Sequence, residues 1–205
     1  MRIVGVVCSP RKGGNTEIAV GEALNAARAQ GAEVELVTVA GKDIKPCDGC
    51  ESCRKTKTCK YDDDAQRIFD RILAADGVIF GSPTYFWSVT AQAKALIDRT
   101  YQFREGRRLR NKVAGAVVVA RRAGAAGAFM MFNNFFAIHR MINVAGAVAY
   151  GNDAPVPTPE RGGGAIVYGG EKGDVTKDAQ GMGEAWNLGA AMAQTVRLYK
   201  EKGLI

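Results

Sequence analysis

The feature that most constrains the fold is a regular alternation of short apolar runs with longer segments of helical periodicity. Each apolar run is followed by a helix-like segment, an order that requires right-handed crossovers and a parallel sheet with helices on both faces. The predicted strands are residues 2–8, 33–39, 77–81, 113–120 and 146–150. The predicted helices are residues 15–30, 65–74, 88–103, 127–142 and 177–202. The sequence therefore predicts an α/β domain with a doubly wound, five-stranded parallel sheet.

Length and hydropathy favour one domain that spans residues 1–205, because a single core commonly serves roughly 100–200 residues. Two segments interrupt the alternation: a cysteine loop at residues 40–61 and a Gly/Pro-rich loop at residues 151–176. The apolar runs are shorter than the ~20 residues of a membrane helix, and the N-terminus lacks the pattern of a signal peptide. We therefore expect a cytoplasmic protein that does not contact a membrane.

The net charge of +7 raises the question of nucleic-acid binding. The basic residues are scattered along the chain and no RNA- or DNA-binding motif is present, so we predict no nucleic-acid partner. The charge instead favours anionic small molecules or an acidic electron carrier.

A phosphate-binding loop is predicted between the first strand and the first helix, where residues 8–16 read CSPRKGGNT. A helix N-terminus offers unpaired N–H groups and a positive dipole end to an anion. Ser9, Asn15 and Thr16 add polar side chains, and Arg11 adds positive charge. The loop is neither a Walker loop nor a GxGxxG fingerprint, and a strand–helix turn capped by Ser or Thr is the alternative interpretation.

Two further loops follow predicted strands, GSPTYFW at residues 81–87 and RRAGAAG at residues 121–127. With the phosphate loop and the helix QAKALIDR at residues 92–99, they resemble the flavodoxin-like NAD(P)H-dependent FMN reductases. The resemblance implies strand order 2-1-3-4-5 and an FMN at the carboxyl ends of the strands. The residues that it assigns to FMN are Ser9, Arg11, Asn15 and Thr16 at the phosphate, Pro83, Thr84, Tyr85 and Phe86 at the ring, and Arg121 and Gly124 in the third loop.

Alternatives stay open at several of these positions. The aromatic residues after the third strand could instead belong to the core or to an interface, and Arg121 and Arg122 could face solvent or a partner subunit. Asp98 and Arg99 favour a structural role at a helix end, and no catalytic acid or base is predicted.

The cysteine loop carries the pattern C-x2-C-x2-C-x5-C, at Cys47, Cys50, Cys53 and Cys59. Its spacing is close to that of bacterial ferredoxins, whereas zinc usually takes two well-separated CxxC pairs. The loop resembles that of the iron–sulfur flavoproteins, a branch of the same family, which implies a [4Fe–4S] cluster near an FMN, often that of a neighbouring subunit. A homodimer or homotetramer is therefore expected. A cluster-free loop and a zinc site remain alternatives, and Cys8 is predicted to be a buried core residue.

The function predicted from these features is electron transfer between two-electron and one-electron partners, with NAD(P)H or a ferredoxin as the donor. One alternative is a cluster-free NAD(P)H-dependent FMN or quinone reductase. Another is a zinc-stabilised flavin-binding module without turnover.

Overall fold

A computed structural model describes residues 1–151 and 170–205 of the chain. Five strands make up its sheet: β1 (Arg2–Val7), β2 (Glu33–Thr38), β3 (Gly77–Pro83), β4 (Val113–Ala120) and β5 (Ile142–Tyr150). The α-helices in the described ranges are α1 (Asn15–Ala29), α2 (Ser52–Thr56), α3 (Asp64–Ala74), α4 (Ala91–Arg99), α5 (Ala125–Ile138) and α6 (Ala179–Glu201). Two 3-10 turns accompany them, at Thr100–Phe103 and Asp174–Lys177.

The sheet is parallel throughout and runs in the order β2-β1-β3-β4-β5. The predicted fold class and strand order are therefore confirmed. From β1 the chain first moves outward to β2 and then crosses back to β3 on the other side of β1. That reversal opens a crevice at the carboxyl ends of the strands, the usual ligand position in open α/β sheets.

Two hydrophobic cores lie on opposite faces of the sheet. One face packs against α3, α4 and α5 and contains the phenylalanines Phe80, Phe132, Phe135 and Phe136; the rings of Phe80 and Phe135 meet edge to face with centroids 5.3 Å apart. The other face packs against α1 and α6. There Gly189 permits close helix contact, since a Cβ at this position would lie 1.8 Å from the carbonyl oxygen of Ala23.

Most element boundaries differ from the sequence predictions by one to four residues, and three differences have a clear cause or consequence. Strand β5 begins at Ile142 rather than at residue 146, because the chain leaves α5 after Ile138 and reverses at Arg140, whose φ is 56°. Helix α4 begins at Ala91 because the Thr90 hydroxyl caps it. The short helix α2 inside the cysteine loop was not predicted.

The Gly/Pro-rich loop at 151–176 lies only partly within the described residues, because 152–169 fall outside them. Its last residues, 170–176, pass beside the N-terminus of α1 and lead into α6. Among the described helices, none is both long enough and apolar enough to cross a membrane.

Candidate functional site

A cavity of about 400 Å³ opens at the carboxyl ends of β1, β3 and β4. Eight of the ten residues that the sequence assigns to the flavin line it, and Phe86 and Gly124 do not. The full lining is Ser9, Arg11, Lys12, Gly14, Asn15, Thr16, Pro83, Thr84, Tyr85, Val119, Ala120, Arg121, Gly151, Gly170 and Lys172.

The first wall of this cavity is the phosphate loop. Ser9 and Thr16 are buried, and the Ser9 hydroxyl accepts a hydrogen bond from the Arg11 N–H at 3.2 Å. Gly13 adopts a left-handed φ of 63°, and its N–H donates to the Glu17 carboxylate at 2.7 Å. Helix α1 begins after Gly14 without a side-chain cap. The first turn of α1 therefore presents backbone N–H groups to the cavity, which suits an anion.

Asn15 has a role that the sequence did not predict. Its amide nitrogen donates to the carbonyl of Glu171 at 2.9 Å, and its oxygen accepts from the Gly173 N–H at 2.8 Å. Arg11 donates to the carbonyl of Gly170 at 3.3 Å. These hydrogen bonds hold the segment 170–175 against the phosphate loop.

That segment brings Lys172 to the cavity, a residue that the sequence analysis missed. A Cβ built on Gly13 would lie 2.7 Å from Lys172 Nζ, so the ammonium group sits directly over the loop. The two residues are separated by more than 150 positions, and no local pattern connects them. Lys172 adds a positive charge to the place where Arg11 already provides one.

The second wall is formed by Pro83, Thr84 and Tyr85. The Thr84 N–H donates to the Val119 carbonyl at 2.9 Å, which fixes this segment across the end of β4. Its hydroxyl is buried and has no hydrogen-bond partner among the described residues. Since buried polar groups are rarely left unsatisfied, an unpartnered hydroxyl on a cavity wall is suited to a ligand atom.

A tight turn with unusual backbone geometry follows Thr84. Tyr85 and Ser88 exchange two backbone hydrogen bonds, and the residues between them, Phe86 and Trp87, have φ values of 45° and 65°. Two left-handed central residues define a type I′ turn, which normally takes Asn and Gly. The Phe86 side chain is fully exposed, so it lies outside the cavity.

Two glycines of the third loop, residues 121–127, pack against this turn. Gly124 has a φ of 86°, and a Cβ there would lie 2.9 Å from Trp87 Cα; a Cβ on Gly127 would lie 2.0 Å from the Trp87 carbonyl oxygen. Gly124 therefore makes room for the turn, while Arg121 of the same loop lines the cavity. The predicted flavin contacts of Phe86 and Gly124 stay predictions.

The cysteine loop encloses a second cavity, of about 380 Å³, that all four predicted ligands line. Tight turns at Gly49, Glu51 and Lys57, each with a positive φ, wind the loop around it. Cys47 and Cys50 are exposed, and Cys53 and Cys59 are half-buried. Partial burial raises the pKa of the Cys53 thiol, and the other three cysteines add to the rise, which places the four sulfurs within electrostatic reach of one another.

No three His, Cys, Asp or Glu side chains in residues 1–151 and 170–205 converge closely enough to hold a single metal ion. The donor set is four thiols around one cavity. That chemistry fits a four-thiolate cluster, whose ligands stand farther apart than those around one ion.

A buried ion pair fastens this loop to the body of the fold. The side chains of Arg99 and Asp63 are 0% and 1% exposed and join through two hydrogen bonds, of 2.6 and 3.0 Å. Asp63 also caps α3 by accepting from the Ala65 N–H. Asp98 instead pairs with Lys94 on the surface of α4. Neither Asp98 nor Arg99 thus contacts the cavity that the phosphate loop lines.

Two titratable side chains outside both cavities, Cys8 and His139, have structural surroundings. Cys8 is buried, as expected, and burial raises the pKa of its thiol to about 12. His139 lies against Phe135, and its Nε2 is 2.9 Å from the Thr100 hydroxyl. Burial lowers the pKa of His139, in keeping with a neutral packing role.

Comparison with known proteins places this architecture in a family. Residues 1–155 match the NADPH-dependent FMN reductase family. An iron–sulfur flavoprotein of Methanocaldococcus jannaschii is 41% identical over 203 residues, which cover 98% of this chain and all of that protein. An iron–sulfur flavoprotein of Methanosarcina thermophila is 36% identical over 163 residues, covering 78% of this chain and 85% of that protein.

A solved structure with a similar fold is a flavodoxin, a WrbA-like protein from Agrobacterium tumefaciens. It superposes with a TM-score of 0.59 at 16% identity, and the match covers 96% of this chain and 98% of that one. At this identity the likeness concerns the fold alone. Sequence identity across the full length and the matched family domain together lead to one conclusion: the chain belongs to the NADPH-dependent FMN reductase family of oxidoreductases, in its iron–sulfur flavoprotein branch.

Proposed function

We propose that this protein is an electron-transfer flavoprotein that carries FMN and a [4Fe–4S] cluster and links two-electron to one-electron reactions. The observation that carries the proposal is the gathering of all four loop cysteines around one cavity of a flavodoxin-like fold. FMN exchanges electrons in pairs or singly and the cluster passes them singly; the protein supplies orientation and electrostatics. The whole chain works as one FMN-binding domain.

FMN fits the cavity at the carboxyl ends of β1, β3 and β4. Its phosphate would bind at the uncapped N-terminus of α1, with hydroxyl donors from Ser9 and Thr16. Arg11 and Lys172 would neutralise its charge. Thr84 has a buried hydroxyl, without a partner among the described residues, that can bond to the ring system. The backbone of the loop and these side chains orient the flavin and exclude water; no side-chain acid or base is needed.

The cluster would be held by Cys47, Cys50, Cys53 and Cys59. Basic residues around the loop favour the more negative, reduced state of such a cluster. Three of them are already paired with carboxylates: Arg54 with Glu51, Lys57 with Glu105 and Lys60 with Asp48. Their combined effect on the reduction potential is therefore smaller than that of the same charges without carboxylate partners.

An acidic redox protein is the partner that the surface charge favours, with NAD(P)H as the other candidate donor. Residues 104–110, which we call the arginine run, hold four exposed arginines and one glutamate. Arg104 and Cys53 line the same surface hollow, so the arginine run starts beside the cysteine loop. Complementary charge at this place would steer an acidic carrier toward the cluster. We further propose a cytoplasmic homodimer or homotetramer.

Anaerobic purification followed by chemical analysis tests the proposal. A cubane cluster predicts about four iron and four sulfide ions per chain, together with one FMN and absorbance from both groups. Protein with FMN but without iron would support a cluster-free reductase, and bleaching by NADH or NADPH would identify its donor. Zinc in place of iron, without turnover, would overturn both readings.

A further inference from the structure

Arg99 is the most completely buried charged side chain near the cysteine cavity, and its hydrogen bonds reach both ends of the cysteine loop. Its two Nη atoms bond to Asp63, to the Lys45 carbonyl at 2.9 Å and to the Tyr61 carbonyl at 3.4 Å. Lys45 precedes the first cysteine and Tyr61 follows the last one. The guanidinium therefore joins the two ends of the cysteine loop, and we call this set of bonds the clasp.

One donor of Arg99 is left over from this arrangement. Arginine has five N–H groups in a rigid fork, and the bonds above use those of the two Nη atoms. The Nε–H is buried and has no hydrogen-bond partner among the described residues. An orphan donor inside a fully buried ion pair costs stability, so its position calls for an acceptor in the adjoining cysteine cavity.

The surroundings of Arg99 indicate which atom that partner is. Arg99 lines the cysteine cavity together with Gln102. The Gln102 side chain accepts from the Cys59 N–H at 3.2 Å and donates to the Arg99 carbonyl at 3.1 Å, so it ties Cys59 to the end of α4. Gln102 thus holds Cys59 next to Arg99 in the lining of the cysteine cavity.

We propose that Arg99 is a positioning residue for the cluster, whose Nε–H donates to the Cys59 sulfur and holds it on the inner wall of the cavity. The inference rests on the proposed function. A donor to a ligand sulfur withdraws electron density from the cluster and stabilises its reduced state, so it raises the reduction potential. A merely structural clasp would affect folding and loop order but would leave the potential of an assembled cluster unchanged.

Two variants separate these roles. Arg99→Lys keeps the charge and removes the Nε–H and the planar fork. The double variant Arg99→Met with Asp63→Asn removes both buried charges, avoiding an uncompensated one, and Asn retains the cap on α3. The control is Lys112→Met, which removes a half-buried cation that bonds to the Leu73 and Ala75 carbonyls and does not line the cysteine cavity.

The measurement is the midpoint potential of the cluster, with iron content and FMN affinity recorded on the same samples. Both Arg99 variants are expected to shift the potential to more negative values, with FMN affinity unchanged, while Lys112→Met keeps the wild-type potential. Wild-type potentials in the Arg99 variants would overturn the proposal. Absence of iron in the wild-type protein would instead overturn the proposed function.

Thiol alkylation provides the test where a variant does not retain its cluster. In the cluster-free chain at alkaline pH, the Cys59 thiolate should accept the hydrogen bond from the Arg99 Nε–H, and a sulfur that accepts a hydrogen bond is a weaker nucleophile than one that does not. The Arg99 variants should therefore raise the alkylation rate of Cys59 relative to that of Cys53, which is also half-buried, measured by mass spectrometry. An equal change at both cysteines would mean that Arg99 only fastens the loop, and the proposal would fail.

Discussion

Thr84 and Thr90 place two hydroxyls in contrasting situations within seven residues of chain. The Thr90 hydroxyl donates to the Cys8 carbonyl at 2.6 Å and accepts from the Ala93 N–H at 3.1 Å. The Thr84 hydroxyl is buried beside the cavity with no partner among the described residues. Thr90 thus stabilises the fold, and the Thr84 hydroxyl is available to bond to a ligand.

Replacing Thr84 by Val is expected to move stability and flavin binding in opposite directions. Removing an unsatisfied buried hydroxyl should raise the free energy of unfolding of the FMN-free protein by about 1 kcal/mol. The lost bond to flavin should weaken FMN binding about tenfold, equivalent to ~1.4 kcal/mol. Chemical denaturation and a fluorescence titration measure the two effects.

The control is Thr90→Val, which should lose about 1–3 kcal/mol of stability. Unchanged FMN affinity in Thr84→Val would contradict the proposed hydrogen bond between Thr84 and the flavin.

Cys50 and Cys8 provide a second matched pair. Cys50 is exposed on the cysteine loop and Cys8 is buried in the core. Cys50→Ala should abolish most of the iron content and retain FMN, because the two cavities share no lining residue. Cys8→Ala should retain both cofactors. Iron analysis and flavin absorbance check the outcome; loss of FMN in Cys50→Ala would mean that the two sites depend on each other structurally.

For single residues, the sequence predicts the location of side chains that lie in a local loop, but not of those brought in by tertiary contacts. Ser9, Arg11 and Thr16 line the cavity as expected because a loop between a strand and a helix has few possible geometries. Lys172 could not be predicted, since it reaches the loop only through tertiary contacts of the segment 170–175. Asn15 also lines the cavity, and its side chain bonds to that segment as well, which no local pattern indicates; its predicted contact with the phosphate stays a prediction.

Among the elements, the turn between Tyr85 and Ser88 stores backbone strain. Non-glycine residues in the left-handed region cost of order 1–3 kcal/mol each, and Phe86 and Trp87 both occupy it. Replacing the pair by Asn-Gly, the preferred type I′ sequence, should raise the free energy of unfolding by about 1–2 kcal/mol. Because Phe86 is predicted to contact the flavin, loss of its ring should also lower FMN affinity. Thermal unfolding and FMN titration test the two expectations; a less stable variant would show that the rings contribute more than the strain costs.

The clasp on the cysteine loop predicts a pH dependence. Burial acts to raise the pKa of Asp63, but the hydrogen bonds and charge of Arg99 and the N–H groups of Lys45 and Ala65 together outweigh burial, and the pKa lies below its ordinary value. A folded-state pKa lower than the unfolded one adds stability at neutral pH, and this stability is lost as the pH falls through the folded-state pKa.

Asp63→Asn should therefore be less stable than the wild type by about 3–5 kcal/mol at neutral pH, since it leaves a buried charge without its partner. The difference should shrink as the pH falls below ~4, where the wild-type carboxylate also becomes protonated. Denaturation midpoints across the acid range measure it. A difference that is constant with pH would mean that the ion pair does not govern the acid response.

Strands were more predictable than the boundaries of helices. Strands β1 and β4 read as continuous apolar runs because both of their faces are covered. The predicted helix extends to Ile142, the first residue of β5, because residues 139–142 continue the periodicity of α5, and residues 143–145 have no predicted element. The chain reverses at Arg140 through a left-handed backbone conformation. Because Arg140 is not a glycine, the sequence does not indicate that conformation.

For the whole molecule, the net charge of +7 is concentrated more than the sequence analysis assumed. The four arginines of the arginine run are all exposed, and Arg104 at its start lines a surface hollow together with Cys53 of the cysteine loop. Electron exchange with an acidic redox protein should therefore slow as ionic strength rises, whereas exchange with a neutral quinone should not.

Charge reversal at two positions of the arginine run, Arg107→Glu with Arg110→Glu, should slow the low-salt reaction with an acidic carrier by about tenfold or more. Arg28→Glu with Lys202→Glu changes the net charge by the same amount at exposed positions outside the run. Stopped-flow rates compare the two variants. Equal slowing in both would assign the effect to overall charge rather than to this surface.

Gly151 and Gly170 lie at nearly the same point of the fold. A Cβ on Gly170 would be 3.6 Å from the Gly151 carbonyl oxygen, and Asn15 packs against Gly151 while holding the segment that Gly170 begins. The cost of closing a loop grows only slowly with its length. A chain that leaves the fold at Gly151 and returns at Gly170 can therefore change in length at a modest entropic cost while its two ends stay in place.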